Sequence, residues 1–143
     1  MSVTTTTHLN FRGQAREALE HYAAVFGGEP VVVTYADLPR QRDEDEGAVP
    51  EQVKWGQVVT PAGFAVMAYD VQPARPFDAG VDRLFVSVRG DDAEEITRYF
   101  HGLADGGHVR DELAPADFSP LYGMVTDRFG VTWVLDVVAP WAG

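Results

Sequence analysis

No cysteine occurs in the 143 residues, so disulfides, thiolate metal ligands and cysteine nucleophiles are excluded together, and a reducing compartment suits the chain. Serine is scarce as well. Ser2, Ser87 and Ser119 stand alone, none in a GxSxG elbow, and neither a GxGxxG nor a GxxxxGK(S/T) loop is present, so hydrolase and nucleotide-binding readings lack their residues. Basic residues are few: 11 Lys and Arg face 22 Asp and Glu, a net charge of -11 that repels a phosphate backbone, and nucleic acid is not an expected partner. No apolar run approaches the ~18 residues of a membrane span. The start, Met1-Ser2-Val3 and four threonines, has neither the basic nor the apolar region of a leader. A soluble cytoplasmic protein with no membrane partner is the expectation.

What is present is 45% apolar residues, with eight Phe, five Tyr and three Trp, enough for one full core. The chain is organised around Tyr122-Gly123-Met124-Val125-Thr126-Asp127-Arg128-Phe129-Gly130-Val131-Thr132-Trp133-Val134-Leu135-Asp136, which reads as two apolar strands and a turn. The run Trp55-Gly56-Gln57-Val58 to Gly63 and Met67 repeats it 67 positions earlier: aromatic-Gly, Val and the turn Gly recur without a gap. A repeated unit carries its neighbours with it. Arg12-Gly13 to Tyr22 aligns with Arg89-Gly90 to Tyr99 at an offset of 77, so the first copy holds about ten extra residues between helix and hairpin.

Thr5 to Arg12 alternates as a strand, with Leu9 and Phe11 on one face and His8 and Asn10 on the other. Gln14 to Phe26 carries the stripe of an amphipathic helix, ended by Gly27-Gly28, and Pro30 to Ala36 is the second strand. Asp37 to Gln52 is too polar to pack and reads as a loop. Its Asp43, Asp45 and Gly47 lack the further acids of an EF-hand, so calcium is not expected. Val53 to Thr60 and Phe64 to Val71 form a hairpin, with Gln72 to Gly80 as a link. Asp82 to Arg89 is the fifth strand, a helix follows that Asp91 or Asp92 caps, His108 to Leu113 is the sixth strand, and Ala114 to Ser119 is loop. The fold class is α+β, two tandem βαβββ modules in one domain spanning 1–143: module 1 about 4–71, a link about 72–80 and module 2 about 81–139.

In this order the residues resemble the vicinal oxygen chelate superfamily of glyoxalase, bleomycin-resistance and dioxygenase proteins, and more closely its PhnB-like branch. The resemblance runs from His8 to Val138 and rests on Gly13 to Tyr22, Phe26-Gly27-Gly28-Glu29 and Tyr122 to Trp133. It implies that the strands of each module curl into a cup and that the two cups enclose a pocket, where metal-dependent members hold a divalent ion through His and Glu on four strands. Counting from the turn glycines and the two Arg-Gly pairs places those positions at Thr6, Met67, Arg83 and Val134, and a slip of one residue gives Thr7, Ala68, Leu84 and Leu135. No ligand set results. Many PhnB-like chains also place a His where Trp55 stands. His8 and Asp70 alone would hold a metal weakly, so no cofactor is expected.

Alternation puts Trp55, Gln57, Met67, Tyr69, Phe85 and Tyr122 with His8 on the expected pocket side, an aromatic lining for a small organic ligand. His8, Asp70 and Arg83 are the weak catalytic candidates, and Asp70 or Asp136 is the expected ion-pair partner of Arg83. His21, His101 and His108 read as exposed or structural. The resulting expectation is a metal-free small-molecule binding protein of the glyoxalase/bleomycin-resistance type. The alternative is a lyase, isomerase or dioxygenase-like enzyme of that superfamily. A homodimer is expected too, with Val137, Val138 and Trp141 at the contact.

Overall fold

The aromatic-Gly repeat marks where each helix comes closest to its sheet. A Cβ on Gly56 would lie 2.5 Å from Leu19 Cδ1, and one on Gly123 would lie 2.8 Å from Phe100 Cε2, so each helix packs into a notch that only glycine leaves open. The computed structural model describes residues 2–38 and 45–139. Its elements run β1 (Thr7–Phe11), α1 (Ala15–Phe26), β2 (Pro30–Thr34), β3 (Val53–Val59), β4 (Ala65–Asp70), β5 (Val86–Gly90), α2 (Ala93–Ala104), β6 (His108–Ala116), β7 (Ser119–Thr126) and β8 (Thr132–Val137). The fold is α+β, and the βαβββ order occurs twice.

Two compact units divide between Gly80 and Val81. In the first, the sheet order is β1-β4-β3-β2, with β1 parallel to β4; in the second it is β5-β8-β7-β6, with β5 parallel to β8. Each helix covers one face of its own sheet. Ala15, Ala18, Leu19, Tyr22 and Phe26 of α1 bury against Val58, Val66 and Ala68 in module 1. Ile96, Tyr99, Phe100 and Leu103 of α2 do the same with Val88, Val125, Trp133 and Leu135 in module 2. The hairpin registers match across the 67-residue offset, Gly56 opposite Ala68 and Gly123 opposite Leu135.

The Arg-Gly alignment fails. Phe11 ends β1 and Gly13 lies in the turn beyond it at φ +112°, whereas Arg89 and Gly90 are themselves strand residues, opposite Asp136 and Val137. The two arginines consequently do different work. Arg12 leaves the sheet and donates to the carbonyls of Val71, Gln72 and Arg75 at 3.2, 3.3 and 2.6 Å, with its guanidinium over the Phe77 ring. The start of the link is thereby fastened to module 1.

Three further boundaries differ from the sequence reading. The fifth strand starts at Val86 rather than Asp82, because Asp82 adopts φ +52° and turns its carboxylate onto Arg110, with two bonds of 2.7 Å. The sixth strand continues through Ala114-Pro115-Ala116, and the seventh begins at Ser119, so most of the expected loop is ladder. Three register shifts and an edge position accommodate the proline. His21 is half-buried against Tyr22 rather than exposed. Asp92, not Asp91, caps α2, accepting from the Glu94 N–H at 2.9 Å. Asp43 and Trp141 lie outside the described residues.

Candidate ligand-binding face

In module 1 the side chains that point away from α1 come from alternate positions on four strands. Cross-strand register sets Asn10 beside Tyr69 and His8 beside Met67, then Gln57 beside Met67, Val33 beside Trp55 and Val31 beside Gln57. One row reads His8, Met67, Gln57, Val31, and the pairs Asn10 with Tyr69 and Trp55 with Val33 lie on the same face. Burial follows the same alternation: Val66, Ala68 and Asp70 are buried on the helix side, while Met67 and Tyr69 are half-buried and Trp55 is 36% exposed.

The polar end of this face is ordered. His8 Nδ1 and Asn10 Oδ1 share a hydrogen bond of 3.1 Å, and the imidazole meets the Tyr69 ring edge-on at 5.2 Å. With Nδ1 engaged by Asn10, the Nε2 edge of the ring is the one left to face solvent or ligand. The arrangement can stack a flat apolar group over Trp55, Tyr69 and Met67 while His8 and Gln57 hydrogen-bond its rim.

His8, Trp55, Gln57, Met67 and Tyr69 therefore share one sheet face, as alternation indicated. Asp70 does not join them. It is 2% exposed on the opposite side, where Oδ1 accepts from the N–H groups of Gly13 and Ala15 at 2.6 and 3.1 Å and Oδ2 accepts from Val53 N–H at 2.9 Å. That carboxylate caps α1, and its lone pairs are committed to the backbone. Arg83 sits on an exposed bend rather than a strand. Its expected partners are taken, since Asp136 holds Arg89 at 3.1 Å. Phe85 precedes β5 at 43% exposure, beneath the Arg110 guanidinium, and Tyr122 belongs to the sheet of module 2.

The register also corrects the four positions at which metal ligands were sought. The strand residue beside Met67 is His8, not Thr6, and the one beside Val134 is Ser87, not Arg83. Each sheet thus offers one pair, His8 with Met67 and Ser87 with Val134, which do not fit a divalent cation's demand for several oxygen or imidazole donors. Among the described residues, no three His, Asp or Glu form a group able to hold a metal ion. Asp45, considered for calcium, instead binds Lys54 at 3.0 Å and accepts from Gln72 Nε2 at 3.1 Å.

A separate cavity of about 140 Å³ is lined by Tyr35, Ala36, Leu38, Asp45, Ala48, Pro50 and Lys54. It is smaller than the 300 Å³ or so of a typical organic-ligand pocket. Beside it, the Tyr35 hydroxyl donates to the Asp70 carbonyl at 2.7 Å. Burial first, then the negative charges of Tyr69, Asp45 and Asp70, push this phenol up to about 12 from 10.0. Because the folded value lies above the unfolded one, this group's contribution to stability is intact below pH ~10 and is lost as the pH rises towards ~12. Tyrosinate absorbance of the folded protein should therefore contain a late component that Tyr35→Phe removes. A variant whose titration overlays the parent curve would count against this.

Two four-stranded mixed sheets, each formed by one βαβββ unit and built in tandem, give the chain the glyoxalase-like fold of the vicinal oxygen chelate superfamily. A Frankia sp. glyoxylase/bleomycin resistance protein/dioxygenase domain shares the fold, with a TM-score of 0.66 over 97% of this chain and 99% of that one at 12% identity. Residues 3–136 match the family model described as 3-demethylubiquinone-9 3-methyltransferase, and the chain belongs to that PhnB-like family. Protein PA1353 from Pseudomonas aeruginosa is 32% identical, with a TM-score of 0.82 over 96% of this chain and 98% of that one. The PhnB protein from Bacillus cereus is 26% identical, with a TM-score of 0.71 over 95% and 100%. Protein YjdN of Escherichia coli is 24% identical over 92% of both chains.

Proposed function

We propose that this chain is a metal-free small-molecule binding protein of the resistance or sequestration kind, whose ligand stacks on the open face of the module 1 sheet. One observation carries the reading: the register brings Trp55, Tyr69 and Met67 together on the face away from α1, with His8 and Gln57 at their side. Aromatic and apolar side chains converging with a few polar groups are the composition of a small-molecule site. The family description speaks of a demethylubiquinone, and a quinone ring is the sort of flat, weakly polar group that such a face accepts.

The test is a panel of planar aromatic and amphipathic compounds that includes a short-chain benzoquinone. Binding should change indole fluorescence and raise the melting temperature. Trp55→Ala should weaken binding by roughly tenfold, since a stacked aromatic contact is worth about 1–1.5 kcal/mol. A panel that moves neither signal would overturn the proposal. About one equivalent of nickel, zinc or iron in protein purified without chelator would overturn its metal-free part.

A homodimer accompanies this reading, because β1, β2, β5 and β6 are edge strands and Val138 is 43% exposed beyond β8. Light scattering at micromolar concentration should give twice the 15.7 kDa chain mass. A mass near that of one chain rules the dimer out.

A further inference from the structure

We propose that module 2 carries a site of its own, a corner formed by Asp111, Phe118 and Tyr122 that takes an organic ammonium ion. It lies on a different sheet from the face assigned above and stands or falls independently of it.

The face of this sheet away from α2 is built from the same positions as its counterpart in module 1, but with different chemistry. Where module 1 has Asn10, Tyr69 and Trp55, module 2 has Arg89, Asp136 and Tyr122, each of these three opposite the next across the ladder. On β6, Ala114 opposes Tyr122 and Asp111 opposes Met124, which brings Asp111 to the same face. Burial first, then the charge of the Asp111 carboxylate, raises the Tyr122 phenol above its ordinary value. A neutral phenol keeps its oxygen lone pairs as acceptors.

Charge decides what this corner can hold. Arg89 is matched by Asp136 at 3.1 Å, and Arg110 is matched by Asp82 through two bonds of 2.7 Å. Asp111 takes part in none of the described ion pairs. The face is left with one uncompensated carboxylate on a chain of net charge -11. An anion is disfavoured there, and a cation is drawn in.

The rings decide which cation. Phe118 and Tyr122 meet edge-to-face, with centroids 5.1 Å apart and planes at 81°, so they form two walls of a corner, and Phe118 is 49% exposed. Aromatic faces attract cations through their quadrupole, most effectively ones that are large and weakly hydrated. A metal ion would find one carboxylate and a phenol, too few hard donors to replace its water. A substituted ammonium gains both the ring contact and the carboxylate's charge without needing a complete coordination shell.

Choline chloride titrated into the full ¹⁵N-labelled chain at constant ionic strength provides the test. Saturable shifts are expected at the Asp111, Phe118 and Tyr122 amides. Asp111→Asn and Phe118→Leu should each weaken binding at least about fivefold, while Asp105→Asn, at the exposed end of α2, should leave it unchanged. The neutral isostere 3,3-dimethylbutanol should shift these amides much less. Equal shifts from the isostere, an unchanged response in a folded Asp111→Asn protein, or shifts that sodium chloride alone reproduces would each overturn the proposal.

Discussion

Asp70→Ala is expected to lower the unfolding free energy by about 3–5 kcal/mol, as judged by the urea midpoint of the far-UV signal. The carboxylate is the acceptor for three backbone N–H groups, those of Gly13, Ala15 and Val53. Gln14, at the N-cap position of α1, makes no capping bond of its own, so the helix start depends on a residue at the end of β4. Alanine would leave the buried Ala15 and Val53 donors and the part-buried Gly13 donor without their acceptor, and each unsatisfied buried donor costs about 1–3 kcal/mol. Asn is expected to recover roughly half of the loss, because its single carbonyl oxygen can serve the Gly13 and Ala15 amides while its NH₂ group opposes the Val53 donor. A loss below about 1 kcal/mol for the alanine variant would show that water or a shifted backbone replaces these bonds.

The same residue shows where a sequence is legible and where it is not. The period-two alternation of β4 separates Met67 and Tyr69 from Asp70 without any coordinates. The chemistry of an aspartate's partners has no such period. Asp70 reaches amides at residues 13, 15 and 53, contacts that exist only after the sheet has formed, so a buried cap was indistinguishable from a candidate ligand. The hairpin echo held because Gly56 and Gly123 answer one steric demand, the close approach of a helix side chain. The Arg-Gly echo did not, because Gly13 serves a left-handed turn and Gly90 a strand. Identical letters met different constraints.

Repeated backbone with unlike side chains is also what separates the two open faces. Equivalent positions carry Asn10, Tyr69 and Trp55 in module 1 and Arg89, Asp136 and Tyr122 in module 2. The first set is suited to stacking and the second to charge. Arg89 and Asp111 escaped the sequence reading for separate reasons: a two-residue error in aligning the first strands of the modules hid Arg89, and the three register shifts of β6 broke the alternation that would have placed Asp111.

Trp133→Ala should destabilise the protein by about 3–5 kcal/mol, through a cavity and through the loss of a polar anchor. Trp133 is wholly buried beneath α2, and its indole N–H donates to Asp127 Oδ2 at 2.9 Å. Asp127, itself 3% exposed, accepts from the Phe129 and Val131 N–H groups through Oδ1 at 2.9 and 3.0 Å, so a single carboxylate ties the β7–β8 turn to the core. Module 1 closes its corresponding turn more locally. Thr60 donates both its N–H and its hydroxyl to the Phe64 carbonyl at 2.9 Å, and Val66 stands where Trp133 does. Trp133→Phe keeps most of the volume but removes the donor, and about 1–3 kcal/mol is expected from that alone. Asp127→Ala measured singly and combined with Trp133→Phe should give a coupling energy of at least ~1 kcal/mol. Strict additivity would mean that the indole acts through volume only, and a Trp133→Ala loss under about 1.5 kcal/mol would mean that the core of module 2 refills the space.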